Sequence, residues 1–213
     1  MKASKGGVAC IAAVMALGLL VKNADAQQNH TTFSLFPNAP FLTCLQRSAT
    51  NTPTATVTVV KGRLNDTLTI KLRNVKPNTG FDLFTVENTP FLADGTANSA
   101  FSGNFGLAWY QSDIQTNSGG TATVTIRTIL VNQIFGFDAG AALTPVNAFN
   151  VGFWFNDPND AASCGFDVAR PTPFNGEHTA GPMAMISGQD ANTGFGQLCL
   201  DPNTSNTPAT CNP

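Results

Sequence analysis

Charge is scarce in this chain. Lys, Arg, Asp and Glu make up 11% of its 213 residues, with 11 basic against 13 acidic side chains. Such a chain lacks the basic surface that nucleic acids and acidic membranes demand, so neither is expected as a partner. Histidine is scarcer still. With only His30 and His178 and no CxxC pair, the chain lacks both the ligand supply and the spacing of a zinc or copper–zinc site. HExxH is absent, as is a GxSxG elbow for a nucleophilic serine. The pair Gly119-Gly120 is a turn signal rather than a phosphate-binding loop. No metal and no cofactor is therefore expected. No segment sustains an amphipathic period near 3.6, which argues against a helical bundle.

The first residues carry an export signal. Lys2 and Lys5 form a positive start, Val8 to Val21 is an almost unbroken apolar run, and Ala24-Asp25-Ala26 places small residues where a signal peptidase reads them. This is the three-part layout of a cleavable leader covering residues 1–26, and the run is short for a membrane anchor. Cys10 starts the apolar run instead of following it, which excludes a lipid-modified cysteine. The expected mature chain is one β domain over residues 27–200 with an Asn/Thr/Pro-rich tail over 201–213. The tail has neither a sorting motif nor an apolar anchor, so the sequence predicts a secreted, extracellular protein with no membrane span after leader removal.

Four cysteines outlast the leader: Cys44, Cys164, Cys199 and Cys211. An even number in an exported chain predicts two disulfides, for which three pairings exist. The preferred one joins Cys199 to Cys211 across a short loop and Cys44 to Cys164 across a long one. The long loop restricts the unfolded chain more, by about 4–5 kcal/mol in the loop-entropy model.

Residues with β preference are abundant. Residues 27–32 are polar and predict a frayed start. Thr54 to Val60 is rich in Thr and Val, and Leu68 to Val75 alternates, with Leu68, Ile70 and Leu72 on one face and Thr69, Lys71 and Arg73 on the other. Val57 and Val59 share parity with Lys61 and Arg63, which predicts a bulge at Gly62 to turn the charges outward. Lys76 to Gly80 reads as a turn, and Phe81 to Val86 as a strand. Phe105, Leu107 and Trp109 alternate with Gly106, Ala108 and Tyr110. Asn117 to Gly120 is a turn before a strand that buries Ala122, Val124 and Ile126. Ile129 to Phe137 continues as an apolar stretch. Phe149, Val151, Phe153 and Phe155 form the most apolar strand face, and Met183 to Ser187 reads as a last strand. Close-spaced strands of this kind predict an all-β fold, an antiparallel β-sandwich of Ig-like or jelly-roll-like form with long loops. One short helix is expected near 157–163, with Asp157 as cap, Pro158 at the first position and Gly165 as stop.

The most distinctive wording is Trp154-Phe155-Asn156-Asp157-Pro158, then Asp160-Ala161-Ala162, Cys164, and Thr172 to Gly181. These residues resemble a set of exported bacterial proteins that share a WFN-P-DA, Cys, TPFNGEH-AG signature. The stretch from Phe105 through the Gly-Gly turn is similar to theirs as well. The resemblance spans about the second half of the mature chain and implies export and fold but no reaction. Leu68 to Leu83, a strand, a Pro-Asn turn and a second strand, is faintly similar to a chordin-type domain.

Two kinds of site are expected from these residues. Glu177 and His178, with Asp157 or Asp160 as second carboxylate, form the candidate set for a secreted hydrolase. Neighbours on an extended segment point to opposite sides, so a loop must bring Glu177 and His178 together. The competing reading makes Asp157 a helix cap and the loop architecture. Trp154, between inward-facing Phe153 and Phe155, falls on the outer face of its strand, and Tyr110 falls opposite Trp109. Exposed rings of this kind suit stacking on an extracellular glycan, contact with a protein, or self-association. The bland alternative has the loop from Asp157 to Gly181 folding over Trp154. Asn29, Asn65 and Asn203 match the N-glycosylation pattern, as chance predicts in a chain so rich in Asn and Thr. The leading expectation is an exported, non-enzymatic β-sandwich with a binding or structural role; the hydrolase is the alternative.

Overall fold

A computed structural model of the chain describes residues 30–129, 135–136, 140, 146–172 and 179–211. The expected leader over 1–26, most of the apolar stretch from Ile129 to Phe137, and Glu177 and His178 lie outside the described residues.

Among the described residues twelve strands occur in chain order: β1 (His30–Pro37), β2 (Thr54–Val60), β3 (Asp66–Arg73), β4 (Gly80–Val86), β5 (Ala108–Gln115), β6 (Ala122–Ile129), β7 (Phe135–Gly136), β8 (Val146–Asn147), β9 (Asn150–Phe155), β10 (Met183–Ile186), β11 (Pro202–Asn203) and β12 (Thr210–Cys211). Eight of them form one antiparallel sheet in the order β5-β4-β9-β10-β1-β2-β3-β6. β7 pairs with β8, and β11 with β12, as small separate ribbons.

The sheet folds into two packed faces because β1 serves both. His30 to Leu35 pair with Val60 to Ala55 of β2, whereas Phe36 and Pro37 pair with Ile186 and Met185 of β10. One face is then β1-β2-β3-β6 and the other β5-β4-β9-β10. Val57, Val59, Leu68, Ile70 and Leu72 from the first meet Phe81, Leu83, Val151, Phe153 and Phe155 from the second in a single core. The alternation seen in sequence drives this packing: period-two strands put every second side chain inward, and burial of each large apolar group stabilises by roughly 1.5–3 kcal/mol. β6 follows suit, with Ala122, Val124 and Ile126 packed against the core. The all-β, antiparallel sandwich expected from the sequence is the architecture observed.

The turn that joins β5 to β6 shows why glycine stands at position 120. Asn117 Oδ1 accepts from Gly119 N and Thr121 N at 2.9 and 3.1 Å. Gly120 adopts φ +69°, and a Cβ there would lie 2.2 Å from Val75 O. Left-handed backbone and the close approach both require glycine.

Several local expectations are corrected. Thr31 and Thr32 are not frayed; they belong to β1 and pair with β2. No bulge at Gly62 is needed, because β2 ends at Val60 and Lys61 to Asn65 form the turn, with Gly62 N donating to Asp66 Oδ1 at 3.1 Å. Phe105 and Leu107 do not start a strand. Gly106 takes φ +75° and Leu107 N donates to Glu87 Oε2, so β5 begins only at Ala108. Met183 to Ile186 is a strand, yet it lies centrally, between β9 and β1. Two elements carried no signal that was read: a 3-10 turn over Ala39–Phe41 and a four-residue helix over Leu42–Leu45. The Asn/Thr/Pro-rich end folds back on itself through β11 and β12.

Both disulfides join the preferred pairs. Cys44–Cys164 ties the Leu42–Leu45 helix to the 3-10 helix Pro158–Cys164, and Cys199–Cys211 closes the β11–β12 ribbon.

Candidate binding sites on the sandwich

The candidate catalytic carboxylates are occupied by structure. Asp157 caps the 3-10 helix Pro158–Cys164: its Oδ1 accepts from Asn159 N and from Asn159 Nδ2, each at 2.8 Å. Pro158 stands in the first turn and Gly165, at φ +90°, ends the helix in left-handed backbone that glycine tolerates. Asp160, in the first turn, accepts from Lys76 Nζ at 2.9 Å and so ties the helix to the turn before β4. Thr172 and Ala180 exchange backbone hydrogen bonds of 2.9 and 3.1 Å on either side of residues 173–178. Among the described residues no group of three or more His, Cys, Asp or Glu could hold a metal ion.

The two candidate aromatic residues have different fates. Trp154 does sit on the outer side of its strand, but it is only 4% exposed. Its ring meets Phe84 and Phe105 edge-on, with centroids 5.5 and 5.3 Å apart. Val86, Ala180, Met183 and Ile186 complete the cluster, with Phe91 and Phe105 packed against it. Trp154 therefore has no open face for a ligand, which corrects its candidacy as a stacking platform. Among the described residues its cover includes Phe91 and Phe105 and, from the segment expected to supply it, Ala180; residues 173–178 of that segment lie outside the described residues. β4 is buried on both sides: Asp82 shares the outer face with Phe84 and Val86, and Thr85 shares the core face with Leu83. Asn156 Nδ2 donates to Asp82 Oδ1 at 2.8 Å and Gln111 Nε2 to Thr85 Oγ1 at 3.1 Å.

Tyr110 remains 53% exposed. Its hydroxyl donates to Asp113 Oδ1 at 2.8 Å, and its ring meets Phe84 edge-on at 5.7 Å. Burial of the ring edge and the anionic neighbours Asp113 and Asp82 push its pKa up to about 12.

Sequence reasoning missed a third place, where β1 parts from β10. Beyond Ile186 the chain turns away from β1: Ser187 N donates to Val151 O, Gln189 N to Phe91 O, and Thr89 Oγ1 to Ser187 O. Among the described residues, no strand pairs with His30 to Leu35 on the side opposite β2. Two clefts open along that unpaired edge. One, of about 480 Å³, is lined by His30, Thr31, Asp190, Phe195 and Gln197 with the wall formed at Cys199. The other, of about 430 Å³, is lined by Thr32, Phe33, Ser34, Phe36, Asp94 and Gln197 among others. Gln197 borders both. Among the described residues no Lys or Arg lines either cleft, whereas each has an aspartate at its rim.

Those aspartates are built into turns. Asp190 Oδ1 accepts from Asn192 N, Thr193 N and Thr193 Oγ1 at 3.0, 2.8 and 3.0 Å. Asp94 Oδ1 accepts from Thr96 N and Thr96 Oγ1 at 2.9 and 2.6 Å. Hydrogen bonds to Thr193 and Thr96 respectively hold the two carboxyls below the usual carboxylate range, so both are anionic at neutral pH. The far wall of the first cleft is steadied by the Cys199–Cys211 bridge and by the ion pair of Lys61 with Asp201. The legible signal was the turn wording of Asp190 to Gly194; the strand edge beside it has none.

Comparison with family models, with curated proteins and with solved structures found no match to the chain.

Proposed function

We propose that the chain is an exported, non-enzymatic β-sandwich protein with a binding or structural role outside the cytoplasm. Its main support is the use already made of the candidate carboxylates: Asp157 is spent on the helix cap and Asp160 on Lys76. A general acid or base needs a carboxyl free to reach substrate, and a capping carboxylate is committed to backbone donors. Two disulfides accord with an oxidising compartment. Among the described residues no helix is long and apolar enough to cross a membrane. The leader over residues 1–26 supplies the route, with Gln27 as the expected first residue of the mature protein.

The test is a hydrolysis panel of glycoside, ester and peptide substrates, run on the mature chain beside Glu177→Gln. No turnover above background is expected. Turnover by the parent that the variant lacks would overturn the reading in favour of the hydrolase.

A further inference from the structure

Among the described residues, the edge of β1 that faces away from β2 is left without a strand partner over His30 to Leu35. His30 to Leu35 carry no proline and no Lys, Arg, Asp or Glu, the devices by which exposed edges are usually kept from pairing. Elsewhere the chain uses them. β5, at one end of the sheet, bears Asp113, and β6, at the other, bears Arg127. The bare edge is also not flat surface. It forms one wall of a groove whose other wall is the segment Gly188 to Leu200, with Gln197 at the middle and an anionic carboxylate toward each end.

We propose that this groove receives an extended peptide segment of a partner protein, which pairs with β1 as an added strand and sets a Lys or Arg side chain against Asp190 or Asp94. This rests on the binding reading above and names its site and ligand class. Among the described residues nothing pairs with this edge of His30 to Leu35, so the added strand is about 20 Å long at ~3.3 Å per residue. A strand edge offers alternating backbone N–H and C=O groups, which another backbone matches throughout its length. A sugar chain matches them only in places, and it seeks open aromatic faces. The phenyl rings bordering the groove are engaged already: Phe36 packs on Phe91 at 5.6 Å, Phe195 meets Phe149 edge-on at 5.6 Å, and Phe33 packs against the core. Charge selects within the peptide class. Two anionic rims without a lining cation favour a basic segment and repel an acidic one.

The experiment is selection of a displayed library of random linear nonapeptides on the mature protein. Amide hydrogen exchange is then followed with one enriched synthetic peptide. Gln197→Trp, which fills the junction of the two clefts, serves as counter-target after its thermal melt has shown it folded. Enrichment of Lys- or Arg-bearing sequences on the parent alone, with slowed exchange of alternate amides within Thr31 to Leu35, is the expected result. Asp190→Asn keeps an oxygen for the Asx turn and removes the charge, so basic peptides should bind about two- to fivefold more weakly. Failure to enrich any peptide over Gln197→Trp, or binding that leaves the β1 amides unchanged, overturns the proposal. Protection of the same amides by a cellulose- or chitin-derived hexasaccharide in place of peptide overturns it in favour of a glycan. Protection that rises with protein concentration alone overturns it in favour of self-pairing. Each of these leaves the non-enzymatic reading standing, which falls only if the hydrolysis panel shows turnover dependent on Glu177.

Discussion

Tyr110 is the only tyrosine in the chain, so the phenolate absorbance of the folded protein reports on this one hydroxyl. With its pKa raised to about 12 from the ordinary 10.0, the titration midpoint should lie well above that of a free tyrosine. Asp113→Asn, which removes the adjacent anion, should bring it down. A midpoint at 10 in the parent would contradict the Tyr110–Asp113 contact. The stability consequence has a definite sign. A raised folded pKa means the unfolded chain ionises first, so the contribution of the neutral hydroxyl is complete below pH 10 and fades as pH climbs towards 12. At this scale the sequence was partly legible. Strand parity placed Trp154 on the outer side of β9 and Tyr110 on the wet side of β5. It could not tell that one ring is roofed and the other open. The roof includes Phe105, whose alternation with Leu107 and Trp109 reads as a strand but whose placement depends on Gly106 and Glu87 instead.

Among elements, the 3-10 helix Pro158–Cys164 was the clearest in advance, because its cap, its proline and its stop are each chemically distinct residues. Asp157→Ala should cost about 1 kcal/mol of stability, and Asp157→Asn much less, since an Asn side chain can still accept from Asn159 N. Thermal unfolding of the two variants separates them. Equal losses would mean that charge, not capping, is what Asp157 supplies. β4 was legible as a strand but not in its burial. A strand with one buried face alternates, whereas Phe81 to Val86 are buried on both, with Asp82 and Thr85 kept there by Asn156 and Gln111. The Leu42–Leu45 helix was not legible at all. Four residues are too few to show a period, and the disulfide from Cys44 to the Pro158–Cys164 helix holds it in place.

For the molecule as a whole, the two disulfides differ in reach: one spans 120 residues of sequence and the other 12. In the loop-entropy picture the first restricts the unfolded chain by about 4–5 kcal/mol and the second by about 3 kcal/mol. The double variant Cys44→Ser/Cys164→Ser should therefore melt on the order of 10 °C below the parent, further than Cys199→Ser/Cys211→Ser does. The reverse order would show that the β11–β12 ribbon braces the sandwich itself. Fold class was readable because alternation in β2, β3, β6 and β9 repeats the same instruction. The double service of β1 was not, since nothing in His30 to Pro37 marks the point where the strand changes partner.

That change of partner also shapes the order in which the fold can be assembled. β1 opens the described chain, yet Ile186, which completes it on the second face, comes near the other end. A chain emerging from its N-terminus can form the β1-β2-β3 meander early, but Val57, Val59, Leu68 and Ile70 then wait uncovered until β9 and β10 exist. Closure of Phe36 on Ile186 is a contact of long sequence separation, which places this protein among the slower-folding β domains and makes its half-made sheet the species most prone to stick to others of its kind.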